Sequence, residues 1–150
     1  MWSLVDTETG RPIRITEKYS GAYSLEDRLD MEYLPRKIAV PKGEGRTFPP
    51  IQTARAFLDT NNHVNNAKYI VMALEYMPLD ANIARLRVEY KHPALYKDMI
   101  YPVVYQTDNK TVVSLNNEQS KPYVVVDVYK RQVWMSPIER YFKMEWIFRK

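Results

Sequence analysis

Between residues 85 and 91 the chain alternates: Leu86, Val88 and Tyr90 are apolar, and Arg85, Arg87, Glu89 and Lys91 are charged. A period of two marks a strand in a sheet with one face on the core and one in water. Four strand candidates run from this point: IARLRVEYKHP, MIYPVVYQTD, KTVVSLNN and KPYVVVDVYK. Asp108-Asn109 and Asn116-Asn117 between them are turn chemistry, so neighbours run antiparallel. Just upstream the period changes. From Asn66 to Met77, residues Ala67, Ile70, Val71, Leu74 and Met77 recur at helical spacing, and Pro78 stands beyond the end. Only Lys68 and Glu75 are charged there, so most of this helix must be covered.

The rest of the chain is less regular. IQTARAFLD, beyond Pro50, reads as a strand. Residues 1–16, MWSLVDTETGRPIRIT, read as a strand, a turn at Glu8-Thr9-Gly10 and a second extended piece. SLEDRLDMEYL carries a helix-start signature, with Ser24 to cap and Asp27 three residues on. Leu25, Leu29 and the Met31–Tyr33 region give it a partial apolar stripe, and Pro35 ends it. PRKIAVPKGEGRTFPP is a connector rich in Pro and Gly. One strand, one covered helix and a run of antiparallel strands pack most simply with the helix along the concave face of a curled sheet. The expected fold class is α+β, of the hotdog type, an antiparallel sheet wrapped around one central helix. It would occupy residues 47–129, after a helix and linker over 17–46.

Composition adds limits. A chain of 150 residues, 45% apolar with 12 tyrosines, has enough for one core. It has no cysteine, which excludes disulfides, thiolate metal sites and a cysteine nucleophile and suits a reducing compartment. No leader is evident, and YIVMALEYM, broken by Glu75, falls far below the roughly 20 residues of a membrane span. A soluble cytoplasmic protein is expected. The net charge of +4 comes wholly from residues 130–150, leaving 16 basic and 16 acidic residues upstream. Without a basic face on the body of the domain, a nucleic-acid partner is not expected.

The chemistry concentrates in FLDTNNHVNNAKYI, residues 57–70. If this stretch is extended, alternation puts Asp59, Asn61, His63 and Asn65 on one side. An acid, an amide and an imidazole then stand in one row ahead of a helix whose first N–H groups lack internal partners and carry the positive dipole end. A carbonyl placed there would find donors for the negative charge of acyl transfer. Imidazole can gain or lose a proton near neutral pH. Asn65 and Asn66 are candidates for substrate contact, and equally for plain helix capping. Other chemistries fail on spacing. An EF-hand beginning at Asp59 would need glycine and glutamate where Val64 and Ile70 stand. Zinc would have only His63 and His92, on separate elements, and no metal or cofactor is expected. No serine sits in G-x-S-x-G, and Gly43 and Gly45 lack the Lys-Ser/Thr of a phosphate loop. The strand tyrosines read as core and sheet residues.

LDTNNHVNNAKYI closely resembles the signature of the acyl-acyl-carrier-protein thioesterases, an Asp-x-Asn-x-His-x-Asn-Asn-x-x-Tyr segment in the second of two hotdog domains. WSLVDTETGRPIRI resembles the closing strand of the family's first hotdog domain, which would make residues 1–16 a remnant of it. MEYLPRKI resembles the inter-domain link and RLRVEYKHPALYKDMIYP the strand pair after the helix, so the likeness covers about residues 1–128. It implies hydrolysis of fatty acyl thioesters on acyl carrier protein, with release of free fatty acid, and Asp59, Asn61 and His63 at the active-site positions. Asn61 would bind the carbonyl or position water, His63 act as acid/base or polariser, and Asp59 serve as base or orienter. The alternative reading is a non-catalytic acyl-binding or dimerising hotdog domain; a dehydratase is more distant.

Three departures accompany the likeness. Many members carry a glutamate four residues after the Glu of the Glu-Tyr pair, followed by cysteine or alanine; here Pro93 and Ala94 stand there. Glu89 is offset and by alternation sides with Arg85 and Arg87 on the face expected to be wet. Nearly all of a first hotdog domain is missing, which leaves a sheet edge and a helix flank bare and predicts a homodimer. Residues 130–150 resemble nothing in the family.

Overall fold

The computed structural model describes residues 4–24, 26–107 and 109–130, in two compact units, Met1–Leu34 and Pro35–Lys150. The unmatched tail therefore lies, past Lys130, outside the described residues. In the first unit β1 (Leu4–Val5) and β2 (Pro12–Ile13) pair antiparallel, with Leu4 opposite Ile13. Asp6 builds the turn between them. Its Oδ1 accepts from the Glu8 N–H at 3.0 Å, the Thr9 N–H at 2.7 Å and the Thr9 hydroxyl at 2.9 Å. A short helix α1 spans Glu17–Ser20.

The helix expected from Ser24 is absent; the described residues from there to Leu34 contain no helix or strand. Leu29, Met31 and Tyr33 of its stripe stay exposed. A helix of that length is marginal in water unless an apolar face is buried, and a capping signature cannot substitute for the burial.

The second unit contains β3 (Arg46–Thr47), β4 (Ile51–Gln52), α2 (Asn66–Leu74), β5 (Ile83–Tyr90), β6 (Met99–Gln106), β7 (Lys110–Asn116) and β8 (Pro122–Lys130). The sheet order is β3-β6-β7-β8-β5, with β4 also paired to β6, and every pairing is antiparallel. The four long strands fall where the alternation places them. IQTARAFLD does not: only Ile51–Gln52 is strand, and Arg55–Phe57 is a 3₁₀ turn. Helix α2 stops at Leu74, and a turn with the Met77 N–H on the Leu74 carbonyl at 2.9 Å carries the chain to Pro78.

Helix α2 buries Tyr69, Met72 and Ala73 against one face of the sheet, made by Ile100, Val104, Val113, Leu115, Val124, Val126 and Val128. Val113 lies opposite Val104 on one side and Val126 on the other, so these side chains form one continuous layer. This is the α+β hotdog arrangement that the sequence pattern predicts.

The other face differs from expectation. Arg87 and Glu89 do share it, but it is not wet: β7 and β8 are buried on both sides. The connector crosses it, with Ile38 packed on Val112 and Val125 and flanked by Val40 and Tyr105. The Ile38 N–H donates to Glu89 Oε2 at 2.8 Å, and Arg87 donates to the Pro35 carbonyl. Asp127, wholly buried there, has Arg87 at 3.4 Å and Lys110 at 3.3 Å. A Cβ added to Gly45 would sit 2.5 Å from a methyl of Val103 and 2.8 Å from the Tyr105 ring, so the connector approaches where only glycine fits. Alternation reports which face is polar; it does not report what lies across it.

Candidate active site

The segment ahead of α2 is not extended. Asp59 and His63 close a tight turn, the Asp59 N–H donating to the His63 carbonyl at 2.8 Å and the Asn62 N–H to the Asp59 carbonyl at 3.1 Å. Asn62 takes φ +61°, a left-handed conformation that asparagine tolerates better than most residues. The Asp59 side chain holds the turn from within. Its Oδ1 accepts from the Asn61 N–H at 2.8 Å and from the His63 N–H at 3.1 Å. The alternating row is thus corrected by turn chemistry: aspartate followed by two asparagines satisfies its own backbone locally and curls the chain. Asn61 ends at the exposed turn, whereas Asp59 and His63 are half-buried.

Two anchors fix this turn to the sheet. The Val64 N–H donates to the Ala94 carbonyl at 2.9 Å, and a bridge pairs His63 with Leu95. The Ala94 N–H in turn donates to the Tyr69 hydroxyl of α2 at 2.8 Å. Burial raises the Tyr69 pKa above its usual value, and the Asp98 carboxylate and Tyr90 add to the rise against the opposing Ala94 bond. Tyr90 donates to the Asn66 carbonyl at 3.2 Å and ties the end of β5 to the first turn of the helix.

A cleft of about 370 Å³ opens here, lined by Asp59, His63, Val64, Asn66, Tyr69, Tyr90, Lys91, His92 and Pro93. Of the residues singled out by sequence, Asp59, His63 and Asn66 come together in its walls; Asn61 and Asn65 do not line it. Asn65 caps α2 instead, accepting the Ala67 N–H on its side-chain oxygen at 2.9 Å. That leaves the Asn66 N–H, first of the helix, without an acceptor among the described residues. Among the described residues no carboxylate hydrogen-bonds the His63 imidazole, and no group of three His, Asp or Glu side chains could hold a metal ion.

Three lining residues escape a reading by sequence proximity. Tyr69 ends the signature segment, but nothing local shows its hydroxyl reaching Ala94. Tyr90 ends β5 and His92 lies just past it, more than 20 residues from the helix start, and only long-range contacts, Tyr90 on Asn66 and the His63 turn on Ala94 and Leu95, bring them there.

The cleft therefore joins an imidazole, the first residue of α2 and a carboxylate-braced turn, in a hotdog fold. The solved structures most like it include an acyl-ACP thioesterase from Bacteroides thetaiotaomicron, with TM-score 0.70 and 19% identity over 85% of this chain and 53% of that one. A 12:0-ACP thioesterase from Umbellularia californica gives TM-score 0.63 and 18% identity over 85% of this chain and 51% of the other. This chain thus spans about half the length of those proteins, and at such identities the likeness speaks for the fold. Among curated protein sequences no match is found. The family described as the acyl-ACP thioesterase C-terminal domain matches residues 44–128, which include every cleft residue named above. The chain belongs to the family of acyl-ACP thioesterase C-terminal domains.

Proposed function

We propose that this protein hydrolyses acyl thioesters, with a fatty acyl chain on acyl carrier protein as substrate and free fatty acid as product. The observation that carries the reading is the cleft at the start of α2, whose lining includes His63 and Asn66, the latter with its N–H free of an acceptor among the described residues. A thioester carbonyl seated there meets one backbone donor at the positive end of a helix and one imidazole. As the carbonyl oxygen gains charge, both groups strengthen their hold on it. Asp59 acts through the turn, since its Oδ1 fixes the N–H of His63. Asn61, at the exposed turn, and Asn65, which caps the helix, then serve the geometry of the site rather than the carbonyl.

The test is release of free thiol from a medium-chain acyl-carrier-protein thioester, with medium-chain acyl-CoA in parallel. His63→Ala is expected to lower kcat by about 10²–10³, the range for loss of one donor to a developing oxyanion. No turnover by the wild-type chain, or turnover indifferent to His63→Ala, overturns the reading. Pro93 supports a second one, a non-catalytic acyl-binding domain, because it puts a side chain with no proton to exchange in the cleft wall. Saturable acyl binding without thiol release would select it.

The homodimer belongs to the same proposal. Among the described residues β5 ends the sheet with one edge unpaired, which invites a second strand. Size-exclusion chromatography with light scattering should give twice the 17.8 kDa chain mass; a stable monomer at high concentration removes the dimer. Among the described residues no helix is long and apolar enough to cross a membrane.

A further inference from the structure

We infer that His92 is a second catalytic imidazole, the group that takes the proton from the attacking water, and that it does so in place of a carboxylate. The inference rests on the hydrolase reading and specifies how its chemistry is divided. Hydrolysis needs a group to hold the carbonyl oxygen and another to accept a proton from water. His63 and the Asn66 N–H supply the first. For the second, the cleft walls contain one carboxylate, that of Asp59, and its Oδ1 already accepts two backbone N–H groups within its own turn. Pro93 has nothing to exchange. Lys91 is committed to Glu89, its ammonium donating to Oε1 at 2.9 Å. Tyr69 accepts the Ala94 N–H, and Tyr90 donates to the Asn66 carbonyl.

The second oxygen of Asp59 and the His92 imidazole remain, and of the two His92 is the one exposed to water. It lines the same cleft as His63 but stands on a different element, just past the end of β5. It is exposed, as a group that meets water must be, and its imidazole makes no hydrogen bond to the described residues. Its backbone is held, the N–H donating to the Tyr123 carbonyl at 3.2 Å beside that of Lys91 at 2.9 Å. The charged and titratable groups around it are Asp59 and His63 from the turn, Tyr69 from α2, and Tyr90 and Lys91 from the end of β5.

The step balances without a further reagent. The water oxygen forms its bond to the carbonyl carbon while one water proton passes to His92, and the carbonyl π pair moves to the oxygen held by His63 and the Asn66 N–H. When that pair returns, the carbon–sulfur bond breaks and its electrons leave on sulfur. Protonated His92 then gives its proton to the thiolate, so fatty acid and thiol depart and His92 is neutral again.

The test follows thiol release from the acyl-carrier-protein thioester across pH 5–9 for the wild-type chain, His63→Ala, His92→Gln and the double variant His92→Gln, Pro93→Glu. His92→Gln is expected to cut kcat about 100-fold with KM within threefold, and to flatten the rise of kcat between pH 5 and 8. Adding Pro93→Glu should restore at least tenfold and bring back a pH limb, displaced toward the acid side. Circular dichroism of His92→Gln should match wild type, since the His92 side chain is exposed. Wild-type turnover lost in His63→Ala but kept within threefold in His92→Gln overturns the role of His92 alone. Loss of activity with the pH limb intact also overturns it, because a merely structural contribution would behave so. No turnover by the wild-type chain overturns this inference together with the hydrolase reading.

Discussion

On the side of α2 the sheet of the second unit is a layer of aliphatic side chains, Val113, Leu115, Val124, Val126 and Val128 among them, all fully buried. On the opposite side the same strands bury Asp127, pair it with Arg87 and Lys110, and hold a connector by hydrogen bonds from Ile38 to Glu89 and from Arg87 to Pro35. The first face is closed by a helix whose register is set by packing. The second is closed by a few residues held through side chains of β5. The contrast matters for the cleft, because both closures reach it. Helix α2 brings Asn66 and Tyr69, and Glu89 passes the hold of the connector to Lys91 in the cleft wall.

The contrast can be broken most directly by removing one buried side chain from each face. Leu115→Ala leaves a cavity in a layer fixed by the helix and should cost about 2–5 kcal/mol. Ile38→Ala, equally buried, should cost about 2 kcal/mol, the transfer of its lost carbons at ~0.8 kcal/mol each, because the connector can settle into the space. Urea unfolding of the two variants measures both. Equal losses would mean that the connector is as rigid a part of the core as the helix, and the two faces would not differ in kind.

The same contrast explains what was legible in the sequence. The four long strands announce themselves by alternation or apolar runs and α2 by its helical spacing, although α2 buries Tyr69, Met72 and Ala73 while Ala67 and Val71 of the expected stripe stay exposed. The helix signature at Ser24 misleads because capping and a partial stripe are local, whereas helix formation there needs a surface to lie on. Glu89 shares its face with Arg87 as alternation requires, yet the connector over that face is a tertiary fact with no local mark. At the site, Asp59, His63 and Asn66 of FLDTNNHVNNAKYI line the cleft, while the alternation of the segment predicts an extended shape that it does not have. Asp59 and the adjacent asparagines satisfy one another in a turn, so period two does not apply. His92 is 29 positions beyond His63, and long-range contacts bring both to one cleft, the Val64 N–H bonding Ala94 and His63 bridging Leu95.

The smallest effects should divide the two faces by pH. On the connector side, the Lys91 ammonium, with help from the Ile38 N–H, holds the Glu89 carboxyl below the usual carboxylate range. A depressed pKa means the folded state gives up that proton more readily. Its stabilisation is present above the unfolded value near ~4.3 and is lost as pH falls through the lower folded value. On the helix side, burial and the Asp98 carboxylate, 3.3 Å from the hydroxyl, push the Tyr123 pKa up to about 12. The folded state keeps that proton, so its stabilisation is present below ~10 and is lost as pH rises toward the folded value. Glu89→Gln should therefore flatten the acid limb of a stability profile, costing only about 0.5–1.5 kcal/mol at neutral pH, and leave the alkaline limb alone. Tyr123→Phe should do the reverse. If either variant changes both limbs, the faces are coupled through the strands they share, and the connector would then act on α2 as well as on Lys91.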